Sequence, residues 1–198
     1  MNGICIAPGL VFPQEAVTET FAVIAKRGAG KSNTAVLLAE GLHAAGLPFC
    51  VVDPKGDWWG LRSAADGRRP GLPVPIFGGD HGDLPLERES GGYLARLIAD
   101  KRLSCVLDVS VFSEGEKKRF LLEFARELYR VNRAPLHLIL EEADDYIPQK
   151  PMRDEAQLLR AFENIVRRGR SRGLGITMIT QRSAVLNKNV LTQTETLI

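Results

Sequence analysis

The chain has 198 residues, enough to bury one good α/β core, and the length favours a single domain. Its 26 basic and 24 acidic side chains leave a formal net charge of +2, which neither demands nor excludes a nucleic-acid partner. No run approaches the roughly 18 apolar residues of a membrane span, and no basic-then-apolar leader opens the chain, so a cytoplasmic protein off the membrane is expected.

The three cysteines, Cys5, Cys50 and Cys105, have no metal spacing. Cys50 and Cys105 lie in or beside apolar runs and read as buried free thiols in a reducing compartment. Residues 1–17 read as a lead-in broken by Pro8 and Pro13, with at most one short strand, and 18–198 as the main domain. Phe21–Ala25 is an apolar run that predicts a buried strand, followed by Lys26-Arg27-Gly28-Ala29-Gly30-Lys31-Ser32. A helix follows, from about Ser32 to Ala45, stopped by Gly46 with Pro48 just beyond. Phe49–Val52 is a second buried strand, closing on Asp53-Pro54-Lys55-Gly56-Asp57-Trp58-Trp59.

Residues 60–90 are rich in Gly and Pro and carry one strand candidate, Val74–Phe77. Within them Asp80-His81-Gly82-Asp83 reads as a turn, its spacing matching no metal site. A short helix at about Gly92–Lys101 precedes a third strand, Cys105–Val109. Ser113 with Glu116 forms a capping box for a helix whose apolar face is Phe120, Leu121, Phe124 and Leu128. Leu136–Leu140 is a fourth strand, ending on Glu141-Glu142, and its His137 reads as a core histidine. Asp154 and Gln157 are placed to cap the next helix, which has Leu158, Leu159, Phe162, Ile165 and Val166 on its core face. Gly175–Thr180 is a fifth strand, ending on Gln181. Thr194–Ile198 reads as the opening of another strand, so a chain cut short at its C-terminus is expected. Strands alternate with helices throughout, which predicts an α/β fold with a mostly parallel sheet covered on both faces.

The strand, small-residue loop, Gly-Lys-Ser and helix form a phosphate-binding loop. Gly28, Ala29 and Gly30 let a row of backbone N–H groups wrap an anion at the positive end of the helix. Lys31 would reach the β- and γ-phosphates of ATP, and the Ser32 hydroxyl would hold Mg²⁺. The nucleotide-binding set is Arg27, Gly28, Ala29, Gly30, Lys31, Ser32 and Asn33, with Ala25 standing where a first Gly is usual. Opposite it, the paired acids give one carboxylate for the metal, Glu141, and one to polarise the attacking water, Glu142. Asp is the commoner metal-side residue. Gln181 suits a γ-phosphate sensor or water-orienting amide. Among Arg167, Arg168, Arg170 and Arg172, Arg170 is chosen as a finger serving a neighbouring subunit, against a solvated basic helix end. Trp58 and Trp59 suit base stacking or a subunit contact. Lys55, Arg62, Arg182 and Lys188 are candidate DNA contacts, or ordinary surface charge.

Four blocks in order, AKRGAGKSNTA, VVDPKGDWWGL, LILEEADDYIP and RRGRSRGLGITMITQR, make the chain from about Thr18 onward resemble the central ATPase domain of HerA/FtsK-like DNA translocases. The last block, followed by Asn187–Leu191, is the most family-specific. The resemblance implies a RecA-like fold, a homo-oligomeric hexameric ring, ATP-driven movement on double-stranded DNA, and a nuclease partner in many relatives. It also implies that an arginine near Arg170 serves a neighbour's ATP. A second reading is a nucleotide-binding assembly module with little or no turnover. Asn187-Lys188-Asn189 lacks the Asp of a GTPase base-reading motif, and no Leu-Ser-Gly-Gly stretch of an ABC-type ATPase exists.

Overall fold

The computed structural model describes residues 3–198 apart from Arg27, Ala65 and Asp154. Strands β1 (Ile4–Ala7) and β2 (Leu10–Phe12) form a small antiparallel hairpin where at most one strand was expected. The turn residues Pro8-Gly9 close it, Gly9 at φ +83°. The main sheet has seven strands: β3 (Thr20–Ile24), β4 (Phe49–Asp53), β5 (Ile76–Phe77), β6 (Cys105–Asp108), β7 (Leu136–Leu140), β8 (Leu174–Thr180) and β9 (Thr196–Leu197). Their order is β5-β6-β4-β7-β8-β3-β9, and every neighbouring pair is parallel.

The helices are α1 (Lys31–Ala44), α2 (Gly91–Lys101), α3 (Glu114–Val131), α4 (Ala143–Tyr146), α5 (Ala156–Arg168) and α6 (Lys188–Leu191). Alternation along the strands splits the core into two layers. Cys50, Val52, Leu138 and Leu140 face α2, α3 and α5, against Leu94, Ile98, Phe120, Phe124 and Phe162. Phe49, Val51 and Ile139 face the other way, with Leu38 and Leu42 of α1 and Ile4 and Ile6 of the hairpin. Phe120 and Phe124, one turn apart on α3, stack with centroids 6.2 Å apart. Each such fully buried side chain stabilises by roughly 1.5–3 kcal/mol.

The capping box of α3 is complete, with Ser113 and Glu116 exchanging bonds with each other's backbone. The cap expected for α5 differs. Gln157 instead accepts from Arg126 Nη2 at 2.8 Å, and Glu155 binds the Met152 N–H at 2.8 Å; Asp154 lies outside the described residues. Cys50 and Cys105 pair across β4 and β6 as buried free thiols with sulfurs 3.8 Å apart. His137 is a core residue. Its Nδ1 faces the Val17 carbonyl at 2.8 Å, which fixes the proton there, so Nε2 accepts from the Thr177 hydroxyl at 2.7 Å.

The strand order positions the site. At the carboxyl edge, the segments leaving β3, β8, β7 and β4 stand side by side, in that order. The phosphate-loop residues, Gln181, the two acids and the Asp53–Trp58 loop therefore meet in the crevice where open parallel sheets bind ligands. No helix among the described residues is long and apolar enough to cross a membrane.

Candidate active site

The loop between β3 and α1 needs glycine at two positions. Gly28 has φ +80° and Gly30, the residue that caps α1, has φ +91°. The Ala29 N–H and the Lys31 ammonium both donate to the Lys26 carbonyl, each at 3.2 Å, which closes the loop into a ring. Gly28, Gly30, Lys31, Ser32 and Asn33 line a cavity of about 600 Å³ with Glu141, Lys55, Asp57 and Gln181. Arg27 lies outside the described residues, and Ala29 is exposed on the loop.

Glu141 is buried, with 3% of its surface exposed, yet has three donors. Ser32 Oγ donates to its Oε1 at 3.4 Å, Lys55 Nζ reaches the same oxygen at 3.3 Å, and the Trp58 indole N–H donates to Oε2. These hydroxyl and carboxylate oxygens converge on one cavity. Glu142 follows with φ 48° and ψ 49°, one of two described non-glycine residues in the left-handed region. Such a backbone costs of the order of 1–3 kcal/mol and concentrates at functional sites. Glu142 pairs with the Lys55 ammonium and accepts from Gln181 Nε2 at 3.3 Å. It lines a second cavity of about 300 Å³, shared with Lys55, Gln181, Asp144, Asp145 and Arg182 among others.

The Asp53–Trp58 loop is built on a buried carboxylate. Asp53 accepts the N–H groups of Lys55 and Gly56, both at 2.9 Å, and of Trp58 at 2.8 Å. Burial still leaves the Asp53 pKa raised, against the lowering effect of those bonds. Partial burial pulls on Lys55 in the opposite direction, but the bonds to Glu142 and Glu141 outweigh it and its pKa is raised. Asp144 accepts from Thr180 Oγ1 at 2.5 Å, and the same hydroxyl accepts the Arg182 N–H at 2.9 Å. That bridge ties α4 to the tip of β8 on either side of Gln181.

One sequence expectation needs correction. Trp58 is 3% exposed, its indole spent on Glu141, so it is no stacking surface; Trp59 alone is exposed, its ring 4.3 Å from that of His81. Lys55 pairs with the two acids, while 38% of its side chain stays exposed. Arg62 pairs with Asp83 at 2.6 Å. The Asp80–Asp83 segment is a turn, with Asp83 N–H on the Ile76 carbonyl at 2.8 Å. The sequence marks Lys55 and Trp58 for other roles, DNA contact and stacking, and carries no sign of their bonds to the acids or of the Asp144–Thr180 bridge. An Asp at a strand end followed by Pro-x-Gly is the one signal that marked the loop as preformed.

Arg170 stands apart from the other candidates. It sits in a 3-10 turn, Gly169–Arg172, at the amino end of β8, whereas Gln181 follows the carboxyl end. The seven residues of β8 separate them by about 23 Å. Arg170 pairs with Glu195 at 3.0 Å, while Arg172 lies over the Tyr129 ring at 5.2 Å. With Arg167 and Arg168 they line an open, basic concavity.

The family model described as "Helicase HerA, central domain" matches residues 10–183. The DNA double-strand break repair helicase HerA of Pyrococcus furiosus is 28% identical over 117 residues, 52% of this chain and 21% of the relative. The probable DNA double-strand break repair helicase HerA of Methanocaldococcus jannaschii is 31% identical over 112 residues, 54% and 22% of the two chains. The chain thus spans about a fifth of the curated relatives' length in these matches. Among solved structures, the genome packaging NTPase B204 of Sulfolobus turreted icosahedral virus 2 with sulfate aligns with a TM-score of 0.58. That match has 14% identity and covers 89% of this chain and 71% of that one. The AMPPCP complex gives 0.56 at 15% identity, covering 90% and 72%. The strand order and these likenesses show an α/β, RecA-like P-loop NTPase fold.

Proposed function

The chain belongs to the family of the HerA helicase central domain, and from that premise we propose that it is the ATP-binding and ATP-hydrolysing motor domain of a double-stranded DNA translocase or helicase. The observation that carries the reading is the convergence of Lys31, Ser32 and Glu141 on one cavity, with Ser32 Oγ 3.4 Å from Glu141 Oε1. The loop N–H groups from Gly28 to Ser32 bind the β-phosphate, and Lys31 leaves the Lys26 carbonyl for the β- and γ-phosphates. Ser32 and Glu141 are the hard hydroxyl and carboxylate oxygens that Mg²⁺ takes alongside phosphate and water. That ion, when bound, neutralises charge on the phosphates.

Glu142 accepts the proton of the attacking water and Gln181 orients that water. Arg170 of one subunit neutralises transition-state charge at its neighbour's site; its place about 23 Å from the chain's own Gln181 supports a role in trans. The subunits form a ring, a hexamer in this reading, in the cytoplasm, with a nuclease as a further partner. A second reading is a nucleotide-binding assembly module, which the pairing of Glu142 with Lys55 favours because it leaves the acid off the phosphate cavity.

The experiment is ATP turnover with and without double-stranded DNA over a range of protein concentrations. Stimulation by DNA, with specific activity rising with concentration, is the expected result. Turnover that is flat in both supports the assembly module instead.

A further inference from the structure

Two cavities share one wall. Lys55 and Gln181 line both the phosphate-loop cavity and its neighbour, whereas Glu141 lines the first and Glu142 the second. Glu142 is thus held behind a partition made by the two side chains that bind it. To act on water beside a γ-phosphate it must give up at least one of those bonds.

The base of Lys55 cannot easily shift. Asp53, fully buried, pins the N–H groups of Lys55, Gly56 and Trp58. Gly56 has φ +79°, and a Cβ there would stand 3.0 Å from Ser110 Oγ, so the turn also fits tightly against the end of β6. What remains free is the four-carbon stem, with an ammonium that can choose among anions in reach. The anions within its reach are Glu141 at 3.3 Å and Glu142. A γ-phosphate beside Lys31 would bring a more highly charged anion into the same cavity.

Resting on the ATP-hydrolysis reading above, we propose that Lys55 is a positioning residue that locks Glu142 off the nucleotide and releases it when a γ-phosphate takes its ammonium. With a triphosphate bound, Lys55 turns to the phosphate, and Glu142 and Gln181 are free to hold water. A diphosphate offers no γ-oxygen, so Lys55 returns to Glu142 and the acid is withdrawn again. The lock makes the base available only when there is something to hydrolyse. It also makes Lys55 a determinant of ATP over ADP.

The test measures binding rather than turnover. Affinities for ATP and ADP, each with Mg²⁺, are compared for the wild type, Lys55→Met, Glu142→Gln and the double variant. Lys55→Met is expected to weaken ATP about tenfold while ADP stays within about twofold, the loss of one charge-assisted bond to the γ-phosphate. Glu142→Gln, which frees Lys55 from its resting partner, is expected to tighten ATP several-fold, and that gain disappears in the double variant. Lys55→Gln carries the same comparison should Lys55→Met lose ADP as well. Equal losses of ATP and ADP in both Lys55 variants, or additive effects of Lys55 and Glu142 on ATP, overturn the lock. A wild-type chain that binds neither nucleotide overturns the nucleotide-site reading and the lock with it.

Discussion

The Trp58 indole donates its N–H to Glu141 Oε2, joining the loop after β4 to the end of β7 across 83 residues of sequence. Both partners are buried, at 3% exposure each, so the bond is made away from bulk water. Trp58→Phe keeps much of the ring and removes the donor, leaving a buried carboxylate oxygen short of a partner. The expected loss is about 1–3 kcal/mol of stability, read from the midpoint of urea unfolding. An unchanged midpoint contradicts the role given to this bond.

His137 makes stability depend on pH. Burial pushes its pKa from 6.5 down to about 4, against a small rise from the bond to Val17. The folded value lies below the unfolded one, so the unfolded chain binds more protons between the two. The neutral ring's contribution is therefore fully present above pH 6.5 and is lost as pH falls towards 4. The span corresponds to at most about 3 kcal/mol. Thermal unfolding at pH 7.5 and pH 5 is expected to show a larger drop for the wild type than for His137→Gln, which does not titrate there.

Much of the fold is legible in the sequence, because buried parallel strands are near-continuous apolar runs and their ends carry turn residues. Phe49–Val52, Cys105–Val109 and Leu136–Leu140 each lie within one residue of a strand in the structure. The single-turn helices α4 and α6 escape, since four residues show no period, whereas the strand opening read at Thr194–Ile198 is β9. The phosphate loop and the acid pair are also legible, as each is local in sequence. The roles of Lys55 and Trp58 are not. They depend on β4 lying beside β7 with Val52 opposite Leu140, a register that no spacing within either segment encodes. Trp58 and Trp59 look alike as a pair, but only the fold decides which one is buried.

The arginine assignment has a test that separates cis from trans. Lys31→Ala removes the phosphate-loop ammonium and Arg170→Ala the proposed finger, and each alone is expected to lower turnover at least a hundredfold. Mixing the two proteins should restore part of the activity, because some interfaces then combine an intact loop with an intact arginine. No recovery on mixing, with both variants folded and assembling, contradicts a role for Arg170 in a neighbour's site.

The central claim is that this site hydrolyses ATP with Glu142 as the group that takes the proton from water. The measurement that bears on it most directly is phosphate release by the wild type and by Glu142→Gln, with ATP binding followed on the same samples. The account predicts that Glu142→Gln holds ATP at least as tightly as the wild type while phosphate release falls by about a hundredfold or more. Phosphate release by Glu142→Gln within about twofold of the wild-type rate would contradict it.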